Sequence, residues 1–188
     1  MISSPDEAFI KTIKEKLTAH EGRSIRLGKM IFWLEQADGR KVTLSSSAFQ
    51  ETVLSSGTPI VVRIPQYRWK EYGIEPKRSY RFVYWRKEHT PTAFIKQLEE
   101  NLVKKYGEYF SAEEQPSLPL FEKLKFRRQV AVPLRMRGEE STVIGTLWDF
   151  YFGPLNEARR RALQFWLDTG FGEMNSLGFG FTNLKGHS

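Results

Sequence analysis

Two long segments, residues 122–136 and 141–152, flank a turn across Gly138 and Glu139, and they constrain this chain more than anything else in it. In the first, Val130, Val132, Leu134 and Met136 alternate with Gln129, Ala131, Pro133 and Arg135. In the second, Ile144, Thr146, Trp148, Phe150 and Phe152 share a side. A period of two sends alternate residues to opposite faces of a strand, so the pair reads as an antiparallel hairpin with an apolar face. Such a hairpin is marginal alone in water and needs helices over that face. Two are available. Phe94, Ile95, Leu98, Leu102, Val103 and Tyr106 follow a Thr90–Pro91 start and mark a helix ending near Gly107; Leu155, Ala158, Ala162, Phe165 and Trp166 mark a second over 155–167.

The β-branched run Thr58–Ile64 supplies a strand before the first helix, and Leu177–Leu184 supplies one after the second. From residue 58 to 188 the order is strand, helix, strand, strand, helix, strand, the βαββαβ pattern of an α+β ferredoxin-like domain. Residues 1–57 read as a partial unit of the same kind and a connection. Ser4 caps a helix with Pro5 in its first position and Glu7 closing a capping box, and Phe9, Ile10, Ile13 and Leu17 form its apolar stripe. Ser24–Glu35 reads as a strand, Asp38–Gly39 as a turn and Lys41–Leu44 as the start of a partner strand. The Ser-rich stretch Ser45–Gly57 reads as the connection, with Phe49, Val53 and Leu54 able to form a short helix. A helix and a strand or two cannot enclose a core, so this front piece is expected to be N-terminally shortened; the alternative is a compact variant whose first helix packs on the following domain.

The tail, Asp168–Leu184, reads DTGFGEMNSLGFGFTNL, with glycines in two pairs, Gly170 and Gly172, then Gly178 and Gly180. Closely spaced glycines let a backbone approach a bulky anion, because no Cβ intervenes. Glu173, Asn175 and Ser176 lie between the pairs and suit hydrogen bonds to a sugar or base edge while N–H groups take phosphates. A glycine-rich turn before the last strand is the alternative. With 29 Lys and Arg against 22 Asp and Glu, the net charge of +7 favours a polyanionic partner. No cysteine is present, which excludes disulfides and thiolate metal sites and fits a cytoplasmic protein. No apolar run approaches the roughly 20 residues of a membrane span, so no membrane partner is expected.

The order Gly170, Gly172, Glu173, Asn175, Ser176, Leu177, Gly178, Phe179, Gly180 resembles the C-terminal signature of the CRISPR-associated endoribonucleases that process repeat RNA, the sixth Cas family of the RAMP superfamily. Met174 departs from it, since the family usually carries Lys or Arg there. The resemblance implies a glycine-rich loop beside two ferredoxin-like folds, CRISPR repeat RNA as partner, metal-independent cleavage leaving 2′,3′-cyclic phosphate ends, and no cofactor. It also implies that the usual catalytic Tyr, His and Lys lie in an N-terminal fold that does not align here, so no catalytic residue is carried over.

Beside the loop, the strongest RNA-binding candidates are Lys123, Lys125, Arg127, Arg128, Arg135 and Arg137 on the first hairpin strand. The adjacent Arg127 and Arg128 break alternation and predict a bulge. Between Pro65 and Lys87 aromatics interleave with cations, either as a base-stacking protrusion or as a strand over 80–85 with aromatics in the core. His20, His89 and His187 are solitary and read as surface residues, and no acidic or histidine cluster suggests a metal. Three functions fit: a repeat-RNA-processing protein, a catalytically silent RNA-binding subunit of a CRISPR effector complex, and, lowest, a nucleotide-binding enzyme, which lacks a P-loop. Other effector subunits and a second copy of the chain are further possible partners.

Overall fold

The computed structural model describes residues 4–27, 30–38, 42–44, 52–75, 80–110, 116, 118–136 and 139–185. The chain divides into two compact units, Met1–Thr43 and Leu44–Ser188. Among the described residues no helix is long and apolar enough to cross a membrane.

The first unit holds α1 (Glu7–Thr18), β1 (Arg23–Leu27) and β2 (Met30–Leu34). Asp6, rather than Ser4, caps α1: its side chain accepts from Phe9 N at 2.9 Å, and Ser4 Oγ accepts from Asp6 N. A carboxylate suits this position because it also meets the positive end of the helix dipole. The single strand expected over 24–35 is an antiparallel hairpin that pairs Leu27 with Met30. Val42–Leu44 form no strand, and Lys41 lies outside the described residues.

The second unit contains β3 (Thr52–Ser56), β4 (Arg63–Pro65), β5 (Phe82–Tyr84), α2 (Pro91–Tyr109), β6 (Lys123–Met136), β7 (Glu139–Phe152), α3 (Glu157–Thr169) and β8 (Thr182–Leu184). Its four-stranded sheet runs β6-β7-β3-β8, antiparallel throughout, with α2 following β3 and α3 following β7. This is the ferredoxin-like arrangement: the first and third strands lie in the middle and each helix carries the chain back across one face. Trp148 on that face stacks on Phe94 of α2 with ring centroids 4.3 Å apart, and Trp166 Nε1 of α3 donates to the Leu102 carbonyl at 2.9 Å. Leu54, Phe150, Leu98, Leu102, Leu163 and Phe171 complete the core; each such side chain contributes roughly 1.5–3 kcal/mol by leaving water.

The first strand of this unit is Thr52–Ser56, inside the stretch expected to be a connection, and not Thr58–Ile64. A serine conceals it. Ser56 faces inward, and its Oγ accepts from Trp148 N at 2.6 Å and donates to the Trp148 carbonyl at 3.1 Å, so a polar residue is satisfied where the pattern asks for an apolar one. Within 58–64, Ile60 and Val61 make single bridges to Thr146 and Glu173, and the chain then enters β4, which pairs with β5. In the aromatic segment the strand is Phe82–Tyr84; Trp69, Tyr72, Ile74 and Trp85 are buried, whereas Tyr67 and Tyr80 are exposed. The last strand is shorter than expected, because Asn175–Leu177 form a 3₁₀ turn.

Candidate nucleic-acid interface

The glycine-rich loop leaves α3 at Gly170 and is stitched to the sheet by its backbone. Phe171 N donates to the Gly180 carbonyl (2.8 Å), Glu173 N to the Val61 carbonyl (2.9 Å) and Gly180 N to the Pro59 carbonyl (2.9 Å). Its glycines are not equivalent. A methyl group at Gly180, where φ is +75°, would lie 1.9 Å from the Phe171 carbonyl oxygen, and one at Gly172 would lie 2.5 Å from the Val61 carbonyl oxygen. At Gly170 it would meet Asn175 Nδ2 at 2.6 Å. These three are required by packing within the chain. At Gly178, with φ +86°, nothing lies within 4 Å, and with exposed Ser176 and Leu177 it forms the outward turn of the loop.

Two side chains expected to face RNA turn inward. Glu173 accepts from the Arg63 backbone N (3.0 Å) and Arg63 Nε (2.5 Å) and forms an ion pair with the same guanidinium, tying the loop to β4. Asn175 Nδ2 donates to the carbonyls of Phe171 (3.3 Å) and Phe179 (3.0 Å). A short polar side chain in a tight loop is drawn to the carbonyls that the turns leave without partners. Lys105, on α2, completes the set: its Nζ donates to the Gly170 carbonyl (3.0 Å), the Gly172 carbonyl (2.5 Å) and Asn175 Oδ1 (2.5 Å). Burial pulls its ammonium down to about 8, against the pull of Glu173. Nothing in the sequence marks Lys105, which follows Lys104 on an ordinary amphipathic helix.

The hairpin places its cations by register. Lys123 pairs with Tyr151 and Lys125 with Asp149; a bulge then shifts the pairing between Phe126 and Arg128, and Arg128 pairs with Leu147. Tyr151, Asp149 and Leu147 alternate with the helix-facing Phe150 and Trp148, so Lys123, Lys125 and Arg128 share the sheet face that the helices leave open. All three are exposed, and the Lys123 amine lies 5.1 Å from the centre of the Tyr151 ring. The bulged Arg127 reaches over the same face, donating to Ser55 Oγ (2.8 Å) and the Ser56 carbonyl (3.2 Å) near Asp149. Lys185, missed in the sequence because it follows the signature, donates to Asp149 Oδ2 at 2.8 Å. Burial favours a neutral Asp149, but hydrogen bonds from Lys185 and Ser55 and the charges of Lys185 and Arg127 hold its carboxyl below the usual range. Arg135 pairs with Glu140 and by alternation lies on the opposite face. Arg137 lies outside the described residues.

Loop and cations meet on this one face. Val132 and Leu134 continue the row that begins at Arg128, and they pack into a small cluster with Val143, Val61, Met174 and Phe179, the last two from the loop. The loop therefore sits at one end of the cationic row. Met174, where the resemblance leads one to expect a cation, serves this cluster. His20 is exposed at the end of α1, with Nδ1 2.7 Å from the Lys16 carbonyl oxygen. His89 Nδ1 accepts from Arg86 N, and burial pulls its imidazole below the ordinary value. It precedes the Thr90 cap, about 22 Å along α2 from Lys105 at 1.5 Å per residue. His187 lies outside the described residues.

The family profile "CRISPR associated protein Cas6, C-terminal" matches residues 41–184. A CRISPR-associated endoribonuclease Cas6 of Haloferax mediterranei is 30% identical over 189 residues, covering 98% of this chain and 68% of the relative. Among solved structures, a CRISPR associated protein Cas6 superposes with a TM-score of 0.63 at 20% identity, covering 98% of this chain and 66% of that one. "An RAMP protein binding different RNA substrates" superposes at 0.59 and 24% identity, covering 98% and 67%. The chain thus spans about two thirds of the length of these relatives.

Proposed function

Because the chain belongs to the CRISPR-associated Cas6 family, we propose that it binds CRISPR repeat RNA on the open face of the β6–β7 hairpin and the adjoining glycine-rich loop, as part of the processing of that RNA. The observation that carries this reading is the single face: exposed Lys123, Lys125 and Arg128 run toward the cluster on which Phe179 and Met174 set the loop. Cations spaced along a strand meet successive phosphates, and the Ser176–Gly178 turn offers backbone at the end of that track. Ser176 and Gly178 keep their role as RNA contacts in this proposal. Gly170, Gly172, Gly180, Glu173 and Asn175 shape the loop instead. Titrating labelled repeat RNA at several salt concentrations tests it: the logarithm of affinity should fall linearly with the logarithm of salt through counterion release. Salt-indifferent binding, or equal affinity for an uncharged nucleic-acid analogue, overturns it.

The positions of the described histidines favour a second reading for cleavage, that this chain holds RNA without cutting it. Attack by a 2′-hydroxyl needs a base within hydrogen-bond reach, and neither the hairpin strands β6 and β7 nor loop residues 170–180 contain a histidine. Incubated with labelled repeat RNA in EDTA, the 188-residue chain is expected to leave it intact over times in which it binds fully. Rapid release of fragments with 2′,3′-cyclic phosphate ends, abolished by changing one residue of this chain, would place catalysis here.

A further inference from the structure

We propose that Lys105 is a positioning residue for RNA binding, an ammonium clamp whose three N–H groups hold the glycine-rich loop in the shape that presents its outer turn. The proposal rests on the reading that this loop contacts RNA, and it adds a residue outside the signature as the loop's keystone. Three acceptors converge on one Nζ: the Gly170 and Gly172 carbonyls, on either side of Phe171, and Asn175 Oδ1, just before the exposed turn. Those acceptors match an ammonium. A neutral amine has two hydrogens and a lone pair, so it serves two of the three and points electron density at the third. Asn175 transmits the effect, because the side chain that Lys105 holds by its oxygen donates through its nitrogen to Phe171 and Phe179 on both arms of the loop.

The clamp is sensitive to pH in a definite direction. Burial lowers the pKa of the ammonium to about 8 against the charge of Glu173, which favours the charged form and is itself paired with Arg63 of β4. On α2 itself, the neighbouring Lys104 pairs with Glu108. The protonated clamp is complete below this value and loses a donor as pH rises through it, so the ordered loop and the affinity that depends on it belong to the low-pH side. By linkage, RNA that prefers the clamped loop raises the Lys105 pKa and binds with proton uptake.

Two measurements test this. In nitrogen-15 spectra of the free protein, from about pH 6.5 to about pH 9.5 at constant ionic strength, the amides of Phe171, Glu173 and Gly180 should shift together with a midpoint near 8. Lys105→Met, shown folded by circular dichroism, should lack that transition. Repeat-RNA affinity should fall roughly tenfold across the same window in the wild type, the worth of one charge-assisted hydrogen bond. In Lys105→Met it should start lowered by that factor and stay flat, whereas Lys105→Arg, permanently charged, should remove the pH dependence with part of the affinity kept. Loop amides that do not respond through this range, or a Lys105→Met protein with wild-type loop shifts and affinity, overturn the clamp. A wild type that binds no repeat RNA at any pH overturns the binding reading instead, and the loop titration still decides the clamp.

Discussion

Replacing Gly180 with alanine is expected to lower the melting temperature by about 10 °C or more, a cost of about 3–5 kcal/mol at roughly 2–4 °C per kcal/mol for a chain of this size. The new Cβ would stand 1.9 Å from the Phe171 carbonyl oxygen and 2.6 Å from Asn175 Nδ2, at a φ of +75° that alanine disfavours. Relief requires the backbone to move. Movement loosens the bond from Phe171 N to the Gly180 carbonyl and the bond from Gly180 N to the Pro59 carbonyl, which close the loop and fasten it to the sheet. Overpacking and left-handed strain therefore add to two weakened hydrogen bonds. Gly178→Ala meets no atom within 4 Å and should cost only about 1–2 kcal/mol for its left-handed φ. Its RNA affinity should nevertheless fall, because the exposed turn is where an RNA backbone would come close. Thermal unfolding by circular dichroism on both variants separates the cases. A Gly180→Ala protein melting within about 2 °C of the wild type would show that the loop is not packed as described.

The contrast between these glycines bears on what a sequence can disclose. The motif order identified the loop, but Gly180, meeting a carbonyl 121 positions upstream at Pro59, and Gly178, facing open space, look alike in one dimension. The same blindness hid the internal contacts of Glu173 and Asn175. Short polar residues beside glycines suit an RNA edge and an internal partner equally well, and the contacts of Glu173 with Arg63 and of Asn175 with Lys105 exist only in three dimensions. Periodicity was far more informative for the hairpin, where alternation gave both strands and the doubled arginine gave the bulge at Arg127. It failed at Thr52–Ser56, since five residues with an inward serine carry too little pattern to outweigh the β-branched run behind them. Lys105 was illegible for the same reason as Arg63: each acts through a contact about 65 or more positions away, and neither breaks the local pattern that explains it.

Removing Lys123, Lys125 and Arg128 together is expected to weaken repeat-RNA binding by roughly 100-fold or more at low salt, with the salt slope shallower by about 2, as each phosphate contact on a single strand contributes about 0.7. Register predicts a joint effect. The bulge after Phe126 returns Arg128 to the face of Lys123 and Lys125, whereas unbroken alternation would have sent it to the helix side. Arg135→Ala provides the control, because Arg135 projects from the other face beside Glu140 and should change affinity less than about twofold with no change of slope. All four side chains are exposed and make no part of the core, so the substitutions should leave the melting temperature within a few degrees of the wild type. If Arg135→Ala weakens binding as much as the triple variant does, the net charge of +7 acts as a diffuse field and the open face is no track. If the triple variant binds as tightly as the wild type at low salt, RNA engages the chain elsewhere, and the nearness of the cations to the loop has no bearing on recognition.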